Sequence, residues 1–400
     1  MDLQFTAKEL EFRDEVRAFL AASVPADVAR RSITGMHPPN EQDRRWWNRT
    51  LNERGWSAPL WPKEHGGPGW SHVQSHIFEY ECRMAGAPEL RWQGLRLIGP
   101  VIYTFASAEQ KARYLPGILS GDEMWAQGFS EPGAGSDLAS LKTTAVIDGD
   151  DYIVNGQKLW TTEGHYSEMG FFLVRTGSGG KPQAGISMLV FPMDSPGVTV
   201  RQIPMINGEG STCEVFLDNV RVPRANLIGE EGTGWNQAKF LLTNERTSSA
   251  DIHKAFGDLA RIRHIANHEI KDGRPLIEDR AFARRLAELE VDVNALNWSV
   301  LRVLFEAPSA YSIGACASVL KVRGSELQQR LTELAVDALG ARSLRMYRRE
   351  EAFGPPSTDP LWPDYTPGVM TDLLYLRSCT IYGGAKEVQK NIIAKLAFGL

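Results

Sequence analysis

Apolar and polar positions along the chain change period twice. Up to about residue 122 they repeat at helical spacing. A T-x-x-E box, Thr6 with Glu9, opens a stretch in which Phe12, Val16, Phe19 and Leu20 share one face. Trp46, Trp47 and Leu51 mark a second amphipathic segment, and Ser107 with Gln110 caps a third ahead of Tyr114 and Leu115. The Gly/Pro-rich loop LWPKEHGGPGW, Leu60 to Trp70, separates them. From about Met124 to Gly229 the period shortens. LKTTAVI, DYIVNGQKLW, FFLVRT and ISMLVF are short β-branched and aromatic runs, and Asp148-Gly149 predicts a hairpin between the first two. Beyond Gly234 helical spacing returns: Phe282, Leu286, Leu289, Val293, Leu296, Val300 and Val303 step by alternating fours and threes, the seam of a helix bundle. The proline-rich stretch Ala352 to Gly368 is a loop, and Val388, Ile392, Ile393 and Leu396 share a face of the last helix.

The order helices, strands, helices predicts a multidomain α+β chain: an N-terminal all-α domain (1–122), a central antiparallel β domain (123–230) and a C-terminal α bundle (231–400). A length of 400 residues fits two or three such units. Strands and helices do not alternate, no G-x-G-x-x-G follows a strand, and no P-loop motif occurs, so a nicotinamide Rossmann domain and a P-loop lose support. A net charge of −5 argues against a nucleic-acid partner. The longest apolar runs, such as Ile186 to Phe191, are too short to span a bilayer. Four scattered cysteines with no CxxC pair, and no secretory pattern at the start, lead to the expectation of a reduced, cytoplasmic protein without a metal site. His72 and His76 stand four apart on an expected helix, but with no third ligand nearby they read as packing histidines.

Two segments carry the chemistry. In SEPGAGSD, Ser130 to Asp137, three small residues in a row let backbone approach a ligand, with Ser130 and Ser136 beside it; taken alone, a capped Pro-Gly turn accounts for it as well. In NGQKLWTT, Asn155 to Thr162, Trp160 and Thr162 point to one face of an extended strand and would hold a planar ring; taken alone, a core tryptophan with strand-forming threonines serves equally.

Together these segments resemble the acyl-CoA dehydrogenase family, whose signature is similar to TEPGAGSD followed by NGxKxWIT. The resemblance extends to LWPKEHGGPGW, CEVFLDNVRVPRANLIGEEGTGW and IYGGAKEVQKNIIAK, and so to nearly the whole chain. It implies an FAD enzyme that dehydrogenates an acyl-CoA thioester to the trans-2-enoyl-CoA, a base taking the α proton while a hydride passes to flavin N5. Gln127, Phe129 and Ser130 would line the flavin ring, Trp160 would pack on it, Thr162 with Thr161 beside it would bond near N5, and Ser136 would touch CoA. Asp337, Gly340, Ala385 and Glu387 would reach the FAD of a neighbouring subunit.

The resemblance also exposes departures. The base of most relatives lies in a Tyr-Glu-Gly; here Tyr382-Gly383-Gly384 has no carboxylate. Glu245 follows Leu241 by four residues and Ala238 by seven, on one helical face, and matches the base of branched-chain and long-chain relatives; Arg246 matches the arginine that follows. The Gly383 N–H would still bond the thioester carbonyl and leave room for a bulky acyl group. The arginine that grips the neighbouring FAD has no clean match in HEIKDGRPLIED, where Lys271 and Arg274 are the stand-ins. Ala385 lacks the usual hydroxyl, and an acidic Asp337 near a pyrophosphate is unfavourable. Such departures resemble bacterial members that pair two different dehydrogenase-like chains, which are associated with bulky acyl groups such as steroid side chains. A homo- or hetero-tetramer is implied, with the Phe282–Val303 seam as a contact and an electron-transfer flavoprotein as acceptor. The competing readings are a non-catalytic subunit that completes a partner's FAD site, and an oxygen-using oxidase.

Overall fold

The structure, a computed structural model, describes the backbone of residues 5–177, 180–248, 250–305 and 313–400, and their side chains except those of residues 243–248, 304, 305, 313 and 314. The chain forms two compact units: residues 1–47, 69–89 and 246–400 make one, and residues 48–68 and 90–245 the other.

The second unit holds the sheet. Its strands are β1 (Trp125–Gly128), β2 (Thr144–Asp148), β3 (Asp151–Thr162), β4 (Met169–Arg175), β5 (Ile186–Pro192), β6 (Val198–Ile203) and β7 (Thr212–Pro223), in the order β1-β4-β2-β3-β7-β6 with β5 beside β4. The Asp148-Gly149 signal is a hairpin: β2 and β3 pair antiparallel up to Asp148↔Asp151, and Gly149 takes φ +64° in the tight turn. The sheet is largely rather than wholly antiparallel. β1 runs parallel to β4, and β2 meets β4 in parallel at Thr144↔Arg175. Periodicity reports which way side chains point, not strand direction, so this pairing leaves no local trace. β1 lies close on β4: a Cβ at Gly128 would come within 2.2 Å of the Phe172 ring. Two cores flank the sheet. One joins Phe171, Leu173, Met188 and Val190 to Ile98, Val101, Leu115 and Trp125; the other holds Tyr152, Val154, Phe172, Phe191 and Val215. The LWPKEHGGPGW loop docks into the first through Trp61, 2 % exposed, whose indole N–H donates to Leu95 O at 2.6 Å. Leu95 belongs to a π-helical turn, Gln93–Ile98, a rare form that recurs near functional sites.

The other unit is helical. Helices Ala7–Ser23 and His72–Met84 pack together, as do Ile252–His268, Arg280–Phe305 and Ile313–Leu339, against which Lys386–Phe398 also lies. The Thr6/Glu9 and Ser107/Gln110 boxes both form, with reciprocal side chain to backbone bonds. Ser107→Ala should lower unfolding free energy by about 1 kcal/mol, read as a shifted urea midpoint with an unchanged slope. The seam from Phe282 corrects an expectation. Phe282, Leu286, Leu289, Val293, Leu296 and Val300 are buried against Leu259, Ile262, Leu327 and Leu331 of the same unit. Because those side chains already cover one another, the seam is internal core and not a subunit contact. Among the described residues no helix is long and apolar enough to cross a membrane.

Candidate active site

Both signature segments lie at one end of the sheet. β1 delivers Gln127, half-buried, and the chain continues through Phe129 and Ser130 into the loop that begins at Glu131. The Phe129 ring is buried edge-on against Phe171, at 5.7 Å, so it faces the core and leaves its backbone to the loop. Leu159 N donates to Ser130 O at 2.9 Å, which brings the β1 segment beside β3 just ahead of Trp160. In the loop, a Cβ on Gly133 or Gly135 would meet nothing within 4 Å, and Ser136 is exposed. Small residues here open a surface rather than relieve a clash.

Trp160 is the most unusual residue of the site. Its φ is +61°, and the residue is 56 % exposed. A left-handed backbone is costly for a bulky residue and persists only where its surroundings enforce it, often at ligand sites. The cause is a bulge: Lys158 pairs with Val215 and Thr161 with Cys213, so an extra residue breaks the plain alternation of an extended strand. Trp160 and Thr162 still stand on the more open side, while Thr161 is fully buried and its hydroxyl has no partner among the described residues. The turn beyond is fixed by a second left-handed residue, Glu163 at φ +59°, whose carboxylate accepts from Arg91 at 2.5 Å with both side chains buried. An exposed flat ring, a half-buried threonine, Thr162, on the same open side and an open Gly loop fit a planar, polar-edged cofactor such as a flavin.

Glu245 lies in helix Gly234–Ser248, and the face it shares by spacing is apolar: Ala238 and Leu241 are buried in the core. The side chains of Glu245 and Arg246 lie outside the described residues. In the helical unit, Tyr382 leads into Gly383 at φ +64° and Gly384 at φ +95°. Gly383 therefore has a backbone reason to be glycine.

Asp337 is exposed and accepts from Arg285 at 2.6 Å, so its charge is compensated within the chain. Gly340, at φ +54°, stands in open space. Ala385 caps helix Lys386–Phe398 without a side-chain bond, and Glu387 is exposed in its first turn. Of the two stand-ins for the missing arginine, Lys271 is engaged by Asp279 at 2.6 Å, while Arg274 is exposed on a short strand.

His76, one of the two helix histidines, is buried, with Nδ1 3.1 Å from His253 Nε2; His253 in turn meets Glu79 at 3.2 Å. Burial, with His253 beside it, pushes His76 down to about 4 from its ordinary 6.5. Between these values the unfolded chain holds a proton that the folded one excludes, so stability should fall as pH drops from 6.5 toward 4. Urea midpoints at both ends of that range, for the wild type and His76→Gln, check this: the wild type should lose more than the variant, and equal losses contradict it.

Sequence reasoning missed the buried ion pairs Glu131–Lys158 and Arg91–Glu163. For Lys158 a signal existed: it shares strand parity with the buried Tyr152 and Val154, which places a lysine where a core residue belongs. Arg91 and Glu163 are 72 positions apart, with no local sign.

Three family models match in succession: the acyl-CoA dehydrogenase N-terminal domain over residues 6–122, the middle domain over 126–220 and the C-terminal domain over 232–398. The chain is similar to acyl-CoA dehydrogenase IpdE1 of Mycobacterium tuberculosis, 35% identical over 98% of this chain and 97% of that protein. Its fold is similar to a chain of the ChsE4-ChsE5 complex of Mycobacterium tuberculosis, with a TM-score of 0.80 and 31% identity over 100% of this chain and 99% of that one. It is also similar to a chain of the Tcur3481-Tcur3483 steroid ACAD, with a TM-score of 0.84 and 29% identity over 100% and 99%.

Proposed function

The chain belongs to the acyl-CoA dehydrogenase family, a flavin-dependent oxidoreductase, and from that premise we propose that it removes the α proton and β hydride of an acyl-CoA with FAD as cofactor and Glu245 as base. The observation that carries this reading is the exposed, left-handed Trp160 beside the open Gly133–Gly135 loop, on a strand end where Thr162 stands on the same open side. Trp160 would stack on the ring, Thr162 on the same open side would bond its polar edge near N5, with Thr161 buried beside it, and Gln127, Phe129 and Ser130 would line it through side chain or backbone. FAD, when bound, supplies the hydride acceptor. Glu245 takes the α proton, which is weakly acidic and needs a carboxylate on a desolvated helix face. The Gly383 N–H stabilises the oxygen that gains charge as the proton leaves. Ser136 contacts CoA, and Arg246 also serves the substrate. The thioester thereby becomes a trans-2-enoyl-CoA.

The division into residues 1–122, 123–230 and 231–400 belongs to the same reading, with the cofactor carried by the middle segment and the base by the last. Asp337, Gly340, Ala385 and Glu387 would serve the FAD of a neighbouring subunit. That half-site lacks a hydroxyl at Ala385 and has no clean match for the FAD-gripping arginine, which favours a second, different dehydrogenase-like chain in a tetramer, although Arg285 compensates the charge of Asp337. Two similar structures are complexes of two named proteins, which supports the pairing. A bulky acyl group, of the steroid side-chain kind, and an electron-transfer flavoprotein as acceptor complete the proposal.

Purifying the chain alone and recording its visible spectrum tests the pairing. A colourless folded protein that turns yellow with FAD only beside a partner chain is expected. A chain that holds FAD by itself, and is bleached by a thioester, contradicts it.

A further inference from the structure

The loop that carries Gly133, Gly135 and Ser136 is stapled at its base by one carboxylate. Glu131 Oε2 accepts from Lys142 N at 2.6 Å, and Oε1 from Thr143 N at 2.9 Å, so the residue before the loop holds the residues after it. Glu131 and Ala134 also exchange two backbone bonds, at 2.9 and 3.1 Å. Into this knot reaches Lys158 of β3, with 0 % exposure. Its ammonium donates to Glu131 Oε1 at 2.8 Å, Leu173 O at 2.6 Å and Phe129 O at 3.3 Å, which uses all three of its protons. Burial would raise the Glu131 pKa, but the Lys158 charge and the hydrogen bonds from Lys158, Thr143 and Lys142 outweigh it and hold the carboxyl below its ordinary value. Burial lowers Lys158 from 10.5 to about 8 against the opposing pull of Glu131, so at neutral pH the carboxylate is ionised and the ammonium keeps most of its charge.

A buried ion pair is not needed for stability, since an apolar pair of similar volume often serves as well or better. What this pair adds is geometry. Phe129 O lies on the segment that follows β1, Leu173 O on β4, and Lys158 itself stands two residues before Trp160. Leu159, between them, bonds Ser130. One ammonium thus joins the open loop and the tryptophan-bearing bulge.

We propose that Glu131 and Lys158 are positioning residues that lock the Gly133–Ser136 loop and the Trp160 bulge in register, so that one buried pair sets the affinity for both the flavin ring and the CoA thioester. The proposal rests on the flavin reading above. Neither residue touches cofactor or substrate; they act through the segments they hold.

The test uses Glu131→Gln, Lys158→Met and the neutral double variant, each in the assembly in which the wild type holds FAD. Three readouts apply: the FAD dissociation constant, KM against kcat of the fully loaded protein, and hydrogen exchange at the Lys142 and Thr143 amides without FAD. The FAD constant and KM should each rise about tenfold, kcat at saturation should stay within about threefold, and the two amides should exchange faster. Wild-type FAD affinity and KM in a folded variant would overturn the proposal while leaving the flavin reading intact. Should the single variants not fold, the double variant decides, because it leaves no unpaired charge; normal affinities there also overturn it. A wild-type protein that holds no FAD in any assembly defeats the flavin reading itself.

Discussion

Glu245→Gln should slow bleaching of the bound flavin by an acyl-CoA about 10²–10⁴-fold, with FAD content unchanged. Glutamine keeps the size and polarity of the side chain but cannot take the α proton, so binding survives and proton removal does not. The helical context supports the proposed role of Glu245: Ala238 and Leu241, seven and four positions before it, are buried in the core, and a carboxylate at the next step of such a face is costly unless used. No second carboxylate stands at Gly383, and none can be added there without strain, because φ is +64°. Stopped-flow traces of the FAD-loaded assembly under anaerobic conditions check the expectation. An unchanged rate would transfer the base to another residue, or to the partner chain, and favour the non-catalytic reading of this subunit.

Glu163→Gln should lower unfolding free energy by about 3–5 kcal/mol, the second large effect. Arg91 and Glu163 are both nearly inaccessible, and the Arg91 guanidinium also lies over the Tyr166 ring at 4.8 Å. Removing one charge of such a pair takes a counter-charge from the other in a place water cannot reach, and that loss exceeds the modest worth of the pair itself. The position adds a backbone constraint, because Glu163 sits at φ +59° and its N–H donates to Ser211 O at 2.7 Å. Glu163→Asn, which tolerates the left-handed conformation but lacks the charge, should therefore lose nearly as much. Urea unfolding of the three proteins decides it, and a midpoint shift worth under ~0.5 kcal/mol in both variants would mean that the pair bears no structural weight.

Much of this molecule can be read from short-range patterns. The capping boxes at Thr6 and Ser107, the turn at Gly149 and the seam from Phe282 to Val300 depend on neighbours a few residues apart, and each forms where the pattern places it. The signature segments are legible for the same reason. Other features depend on distant partners. The parallel pairing of β1 with β4, the Arg285 that neutralises Asp337 and the Arg91 beneath Glu163 join residues far apart in the chain. The destination of the seam could not be read either, because an apolar stripe looks the same whether it meets its own bundle or another subunit. The bulge at Trp160 lies between these cases. The tryptophan was visible, but its left-handed backbone arises from a register shift against Val215 and Cys213 on β7.

The most direct test of the central claim is to mix the FAD-loaded assembly anaerobically with a panel of straight-chain, branched and steroid side-chain acyl-CoAs, and to follow flavin absorbance together with the mass of the thioester. The account expects the flavin to bleach with at least one bulky thioester, in step with the loss of two hydrogens. A flavin that stays oxidised with every thioester, or a thioester cleaved rather than dehydrogenated, would contradict it.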